Sequence, residues 1–240
     1  MKKKAFLTVL CALLLVVASV LGTVAYLTDT DSVQNVFTVG KVGISLDETN
    51  ADGDIPEGAA AAPERDQAND YHLIPGATFV KDPTVHIDAG SESAYVRMYL
   101  TINMSEEWDK ICAQYKKLDS SGNPTTENLF GIMDILTGYQ ATEWLYQGNT
   151  EDLAGDNTRT YEFWYKTATT KSADSQDLTP LFTGIAVPKE LTNDDLALLG
   201  DQFRIYVVAQ AMQAAGFEDN MAGAFGAIPG ITGAALIPNP

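Results

Sequence analysis

Cysteine is almost absent from this sequence: only Cys11 and Cys112 occur. Cys11 lies inside an apolar N-terminal run, and Leu10 before it does not fit a lipoprotein cleavage box. A chain cleaved after that run keeps one thiol and no intramolecular disulfide, which excludes a disulfide framework. Cys112 reads as a small apolar residue on a helix. Histidine is as scarce, with His72 and His86 the two present. No HExxH occurs, so the helical ligand pair of a zinc peptidase is missing. Asp70, Asp82 or Asp88 would have to supply a third ligand, and no spacing selects one, so the two histidines read as surface residues. There is no Gly-x-Ser-x-Gly elbow and no Ser/His/Asp constellation. An enzyme is not expected.

Positive charge is also in short supply. Lysine and arginine number 15 against 32 acids, for a formal charge of -17. Removal of Lys2, Lys3 and Lys4 with a leader leaves 12 bases and a charge of -20. Such a surface repels nucleic acid and anionic lipid, so neither is an expected partner. It suits solubility and cations.

What is present begins with a leader. Lys2-Lys3-Lys4 is a basic region, residues 5–21 are apolar, and Gly22-Thr23-Val24-Ala25 is a small-residue ending. Thr23 and Ala25 stand where signal peptidase requires small side chains, placing the cut before Tyr26. The apolar run approaches the ~18–20 residues that span a bilayer, so an uncleaved leader would be the chain's one membrane contact. The C-terminal stretch, residues 223–240, is rich in Gly, Ala and Pro. It ends Leu236-Ile237-Pro238-Asn239-Pro240 without a sortase motif, so no covalent anchor is expected and the product is placed outside the cell.

Between these ends the pattern is that of strands. From Ala94 to Met104 one parity carries Ala94, Val96, Met98, Leu100, Ile102 and Met104. The other carries Tyr95, Arg97, Tyr99, Thr101 and Asn103. This is the period of a strand with one face in a core and one near water. Pro75-Gly76 fits the centre of a type II turn. Further strands are expected over 142–147, 158–167, 181–188 and 202–210, with Phe203, Ile205, Val207 and Ala209 on one face. Helical spacing marks 105–118, and Thr192-Asn193-Asp194-Asp195 caps a short helix closed by Gly200. Residues 128–136 fit helix or strand equally. Val42, Ile44 and Leu46 share one parity and Phe37 and Val39 the other, so Gly40 is expected to mark a bulge. With no βαβ alternation and no repeat, the expected fold is all-β: an antiparallel, jelly-roll-like β-sandwich with helical insertions. It would span residues 26–222, with 48–69 as an exposed acidic loop.

Two binding sites are suggested by composition. Asn50, Asp52 and Asp54 cluster oxygens around Gly53. On the EF-hand register, however, the twelfth position is Ala59, so the loop offers weak calcium binding at most and no other cofactor is expected. Trp144, Tyr146, Tyr161, Phe163, Trp164 and Tyr165 would form a sugar-stacking platform or pack a core.

The leader ending in Thr-Val-Ala, the following Tyr26-Leu27-Thr28-Asp29-Thr30-Asp31, and Asn35-Val36-Phe37-Thr38-Val39-Gly40-Lys41-Val42 together resemble the SipW-dependent signal-peptide class. The sequence is similar there to secreted proteins of the TasA and camelysin (CalY) family. Leu73-Ile74-Pro75-Gly76, Lys81-Asp82-Pro83 and Ser93-Ala94-Tyr95-Val96 extend the resemblance over residues 1–104. Beyond these, only Ile185-Ala186-Val187-Pro188 and residues 209–214 look like related bacterial surface proteins. The resemblance implies the same sandwich, processing by a SipW-type signal peptidase, and a place in the extracellular or biofilm matrix. It also implies self-assembly into fibres, in which residues 26–39 (Tyr26, Leu27, Val33, Val36, Phe37, Val39) add as a strand to a neighbouring subunit. The alternatives are a monomeric glycan- or protein-binding module of the cell surface and, last, a camelysin-like metallopeptidase.

Overall fold

Strand β5 (Ala94–Asn103) is an interior strand of a four-stranded sheet, paired on both sides and buried on both faces. The computed structural model describes Leu13–Leu14 and residues 41–230, except 54, 56–60, 62, 68, 152–154, 201–202 and 229, so the bulge expected at Gly40 lies outside the described residues. Thr23, Ala25, Tyr26, Leu27, Val33, Val36, Phe37, Val39 and Asp54, with the last ten residues, lie outside the described residues. Among the described residues no helix is long and apolar enough to cross a membrane.

β5 pairs with β13 (Ile205–Gln213) on one side and β10 (Thr158–Tyr165) on the other, and β9 (Trp144–Glu151) lies beyond β10. A second four-stranded sheet runs β11 (Gln176–Asp177), β4 (Thr84–Ile87), β1 (Ile44–Thr49), β2 (Arg65–Asp66). A third joins β3 (Thr78–Val80), β12 (Gly184–Ala186) and β8 (Leu136–Thr137), and β6 (Lys116–Leu118) pairs with β7 (Pro124–Asn128) in a hairpin. Every pairing is antiparallel. Helices α1 (Ser105–Gln114), α2 (Ile132–Ile135), α3 (Asn193–Leu199) and α4 (Met221–Gly226) interrupt the strands. The fold is therefore a set of small antiparallel sheets with four helices among the described residues, and no sheet closes on itself.

The expected core face is observed: Val96, Met98, Leu100 and Ile102 are fully buried in one cluster with Val85 and Ile87 of β4 and Phe163 of β10. The opposite face departs from expectation. Tyr95, Arg97, Tyr99 and Thr101 are 6%, 4%, 4% and 0% exposed, not near water. The chain after β13 folds back over them, and Phe217, Met221, Ala224 and Phe225 pack with Tyr95 and Trp164. The boundary drawn after residue 222 thus falls inside α4.

Local corrections follow the same logic. Met104 does not extend the strand; it turns left-handed at φ 53° and starts α1. There the amide of Glu106 donates to Asn157 Oδ1 at 2.8 Å, a cap supplied from a distant loop. α1 ends at Gln114 and residues 116–118 form β6, because Asp119 Oδ1 accepts the amides of Ser121 and Asn123 and closes a hairpin. The 48–69 stretch is not wholly exposed: Glu48 is 5% exposed at the end of β1, and Arg65–Asp66 return as β2. The Pro75-Gly76 turn forms as expected, with Gly76 at φ 79° and the Ala77 amide donating to the Ile74 carbonyl at 2.9 Å. Thr192 caps α3 and Gly200 ends it.

Candidate functional site: a cleft beside two open edges

β13 has one partner strand, β5, among the described residues, and none of these residues pairs with its other backbone edge. Its inward residues Ile205, Val207, Ala209 and Ala211 pack on the core, yet every residue from Ile205 to Met212 stays half-exposed. β1 is similar: Ile44–Asp47 pair with β4, and only Glu48 and Thr49 pair with β2. Exposed edges of this kind offer main-chain donors and acceptors to another strand.

A cleft of about 1060 Å³ lies along these edges, with Leu46 of β1 and Val207 of β13 in its walls. Phe79, Trp108, Leu191 and Phe203 give it an apolar lining, and Trp108 stacks on Phe203 at 5.7 Å between centroids. The indole N–H of Trp108 is buried with no hydrogen-bond partner among the described residues.

The polar end of the cleft is built around Glu48. Its Oε2 accepts from Lys81 Nζ at 2.5 Å and its Oε1 from Asn69 Nδ2 at 2.9 Å. Lys81 is only 7% exposed, with its ammonium 5.7 Å from the centre of the Tyr71 ring. Burial, reinforced by the charges of Glu48 and Asp52, pushes the Tyr71 phenol well above its ordinary range. His72 also lines this end.

On the same sheet, His86 is clasped by two carboxylates. Nδ1 is 2.7 Å from Asp177 of β11 and Nε2 is 2.9 Å from Asp47 of β1. Arg65 of β2 binds both Asp47 and Asp82. Burial opposes the proton on His86, but Asp177 and Asp47 outweigh it and raise the pKa above 6.5. Burial likewise opposes charge on Asp47, and Arg65 and His86 outweigh it, holding the carboxyl below 3.8. The stabilisation from His86 is complete below its ordinary value and is lost as pH climbs through the raised one. That from Asp47 is present above 3.8 and lost as pH falls. The unfolding midpoint should therefore decline as pH rises from the ordinary histidine value through the raised one, and His86→Gln should flatten that decline. An unchanged slope in a thermal melt series would show that the clasp contributes nothing.

The other expected sites take different forms. Both ring nitrogens of His86 are engaged by carboxylates, Asp82 is held by Thr49 and Arg65, and no group of three or more His, Cys, Asp or Glu is placed for a metal among the described residues. In the calcium candidate, Asn50 Oδ1 accepts the Gly53 amide at 2.6 Å and Asp52 Oδ2 the Asp70 amide at 2.7 Å, so these oxygens serve the loop itself. The aromatic group is packing. Trp144 and Phe163 are 1% and 0% exposed, Tyr161 is buried, and Trp164 packs on Phe225 at 5.1 Å; Tyr146 is the most open of them. Burial, with Asp109 nearby, pushes the Cys112 thiol up to about 12, leaving it neutral.

No family model, no curated protein and no solved structure matches this sequence.

Proposed function

We propose that this chain is an exported structural subunit that polymerises by strand addition, residues 26–39 of one copy pairing with the open edge of β13 in the next. The observation that carries the reading is that edge, without a partner among the described residues over a nine-residue strand and set beside an apolar cleft. Added strands gain affinity from main-chain hydrogen bonds and register from alternate side chains. In residues 26–39, Val33, Phe37 and Val39 share one parity, the apolar set that such a cleft accepts. The leader and the resemblance of residues 1–104 to the TasA and camelysin family support export and a matrix role in the same direction. A shared core between the β4 and β5 sheets supports reading them as two leaves of a jelly-roll-like sandwich.

Electron microscopy of purified residues 26–240 should show filaments, and the chain beginning at Val36 should remain monomeric while keeping its circular dichroism. Filaments from the shortened chain would sink the strand model. Monomers from both would favour a surface-binding module.

A further inference from the structure

The polar end of the cleft has the parts of an amide-forming reaction between two of its own side chains. Glu48, 5% exposed, presents one carboxylate oxygen to the Lys81 amine and the other to the Asn69 amide nitrogen. The side-chain amide of Asn69 is oriented by its other contacts. Nδ2 also donates to the Thr49 carbonyl at 3.1 Å, while Oδ1 accepts the amides of Ala51 at 2.5 Å and Asp52 at 3.4 Å. This pattern assigns oxygen and nitrogen without ambiguity, since two N–H donors meet one atom and two acceptors meet the other. A carboxylate between an amine and an amide is a positioned proton carrier, and two N–H groups on the amide oxygen are an oxyanion hole.

We propose that Lys81 and Asn69 join in an intramolecular isopeptide bond, with Glu48 as the catalytic residue. Glu48 takes a proton from the Lys81 ammonium. The free amine attacks Cγ of Asn69, a C–N bond forms, and the carbonyl electron pair moves to Oδ1 beneath the Ala51 and Asp52 amides. Glu48 returns its proton to Nδ2, the Cγ–Nδ2 bond breaks, and ammonia leaves with the second Lys81 proton as ammonium. Lysine ammonium and amide become amide and ammonium, so charge and atoms balance and no cofactor or oxidant enters. Hydrogen bonds to the two oxygens of one buried carboxylate keep the amine and the amide within one side chain's reach of each other. The bond would brace the segment before the Pro75-Gly76 turn to the chain after β3, in a fold whose Cys112 has no partner. It does not depend on assembly.

Peptide mass spectrometry of the purified, folded full chain tests this directly. Cleavage before aspartate separates residues 66–69 from 70–81; with the bond formed, the two emerge as one branched species lighter than their sum by one ammonia. Trypsin should correspondingly fail to cut after Lys81. In Glu48→Gln the branched species should disappear and both free peptides return. Free peptides at their full masses from the folded wild-type chain would overturn the proposal, whatever the variant does. A branched species persisting in Glu48→Gln would overturn the role given to Glu48.

Discussion

Trp144→Ala should destabilise the domain by about 3–5 kcal/mol, a large share of the roughly 5–15 kcal/mol that keeps a typical domain folded. The indole is 1% exposed, donates to the Thr179 carbonyl at 2.9 Å, and meets Tyr165 edge-on at 5.0 Å. Its removal opens a large cavity and leaves the Thr179 carbonyl without that donor, and both costs add. Tyr146→Ala on the same strand should cost well under half as much, because Tyr146 is 37% exposed. Chemical denaturation of the two variants measures the difference directly. Equal and small losses would mean that Trp144 is a surface group, and the sugar-platform reading would return.

Arg97→Ala should cost about 3 kcal/mol through a different mechanism, the loss of one partner from a buried charge network. The guanidinium lies 5.0 Å from the Tyr99 ring centre and 4.7 Å from that of Phe225, and it donates to Gln210 at 2.9 Å and Glu162 at 3.2 Å. It thus ties β5 to β10, β13 and α4 at one point. Glu162 retains access to water, which keeps the cost at the lower end of the range for buried pairs. Phe225→Ala should loosen α4 alone, so amide hydrogen exchange would rise at residues 214–228 in that variant and across the whole sheet in Arg97→Ala. If both variants exchanged alike, Arg97 would not be the tie between them.

The inner half of the architecture was legible because local pattern and tertiary role agree there. Period two over residues 94–102 reports a core face wherever the partner sheet comes from, and Thr192 with Gly200 bounds α3 by local hydrogen bonding alone. The outer half was not. Arg97 reads as a solvent residue until Phe225 of α4, far along the chain, covers it, and no window around residue 97 contains that information. The cleft was hidden for the same reason. Glu48, Asn69 and Lys81 are spread over three segments, and each looks like an ordinary polar residue of a loop or strand end. A lysine followed by Asp-Pro between two short strands carries no sign that it is 7% exposed.

The central position of β5 also sets an order of events. Its flanking partners are both made later than itself, and Arg97 meets Gln210 at a separation of 113 residues. β10 can cover one edge once residue 165 is made, but the other edge of a strand apolar on one face and aromatic on the other must wait, unpaired, until residue 213 has been synthesised. Closing so long a loop is slow, and the waiting strand is the segment at greatest risk of sticking to other chains. Nascent chains cut short before residue 205 should accordingly aggregate or recruit a holding chaperone, and folding should be withheld until β13 has emerged.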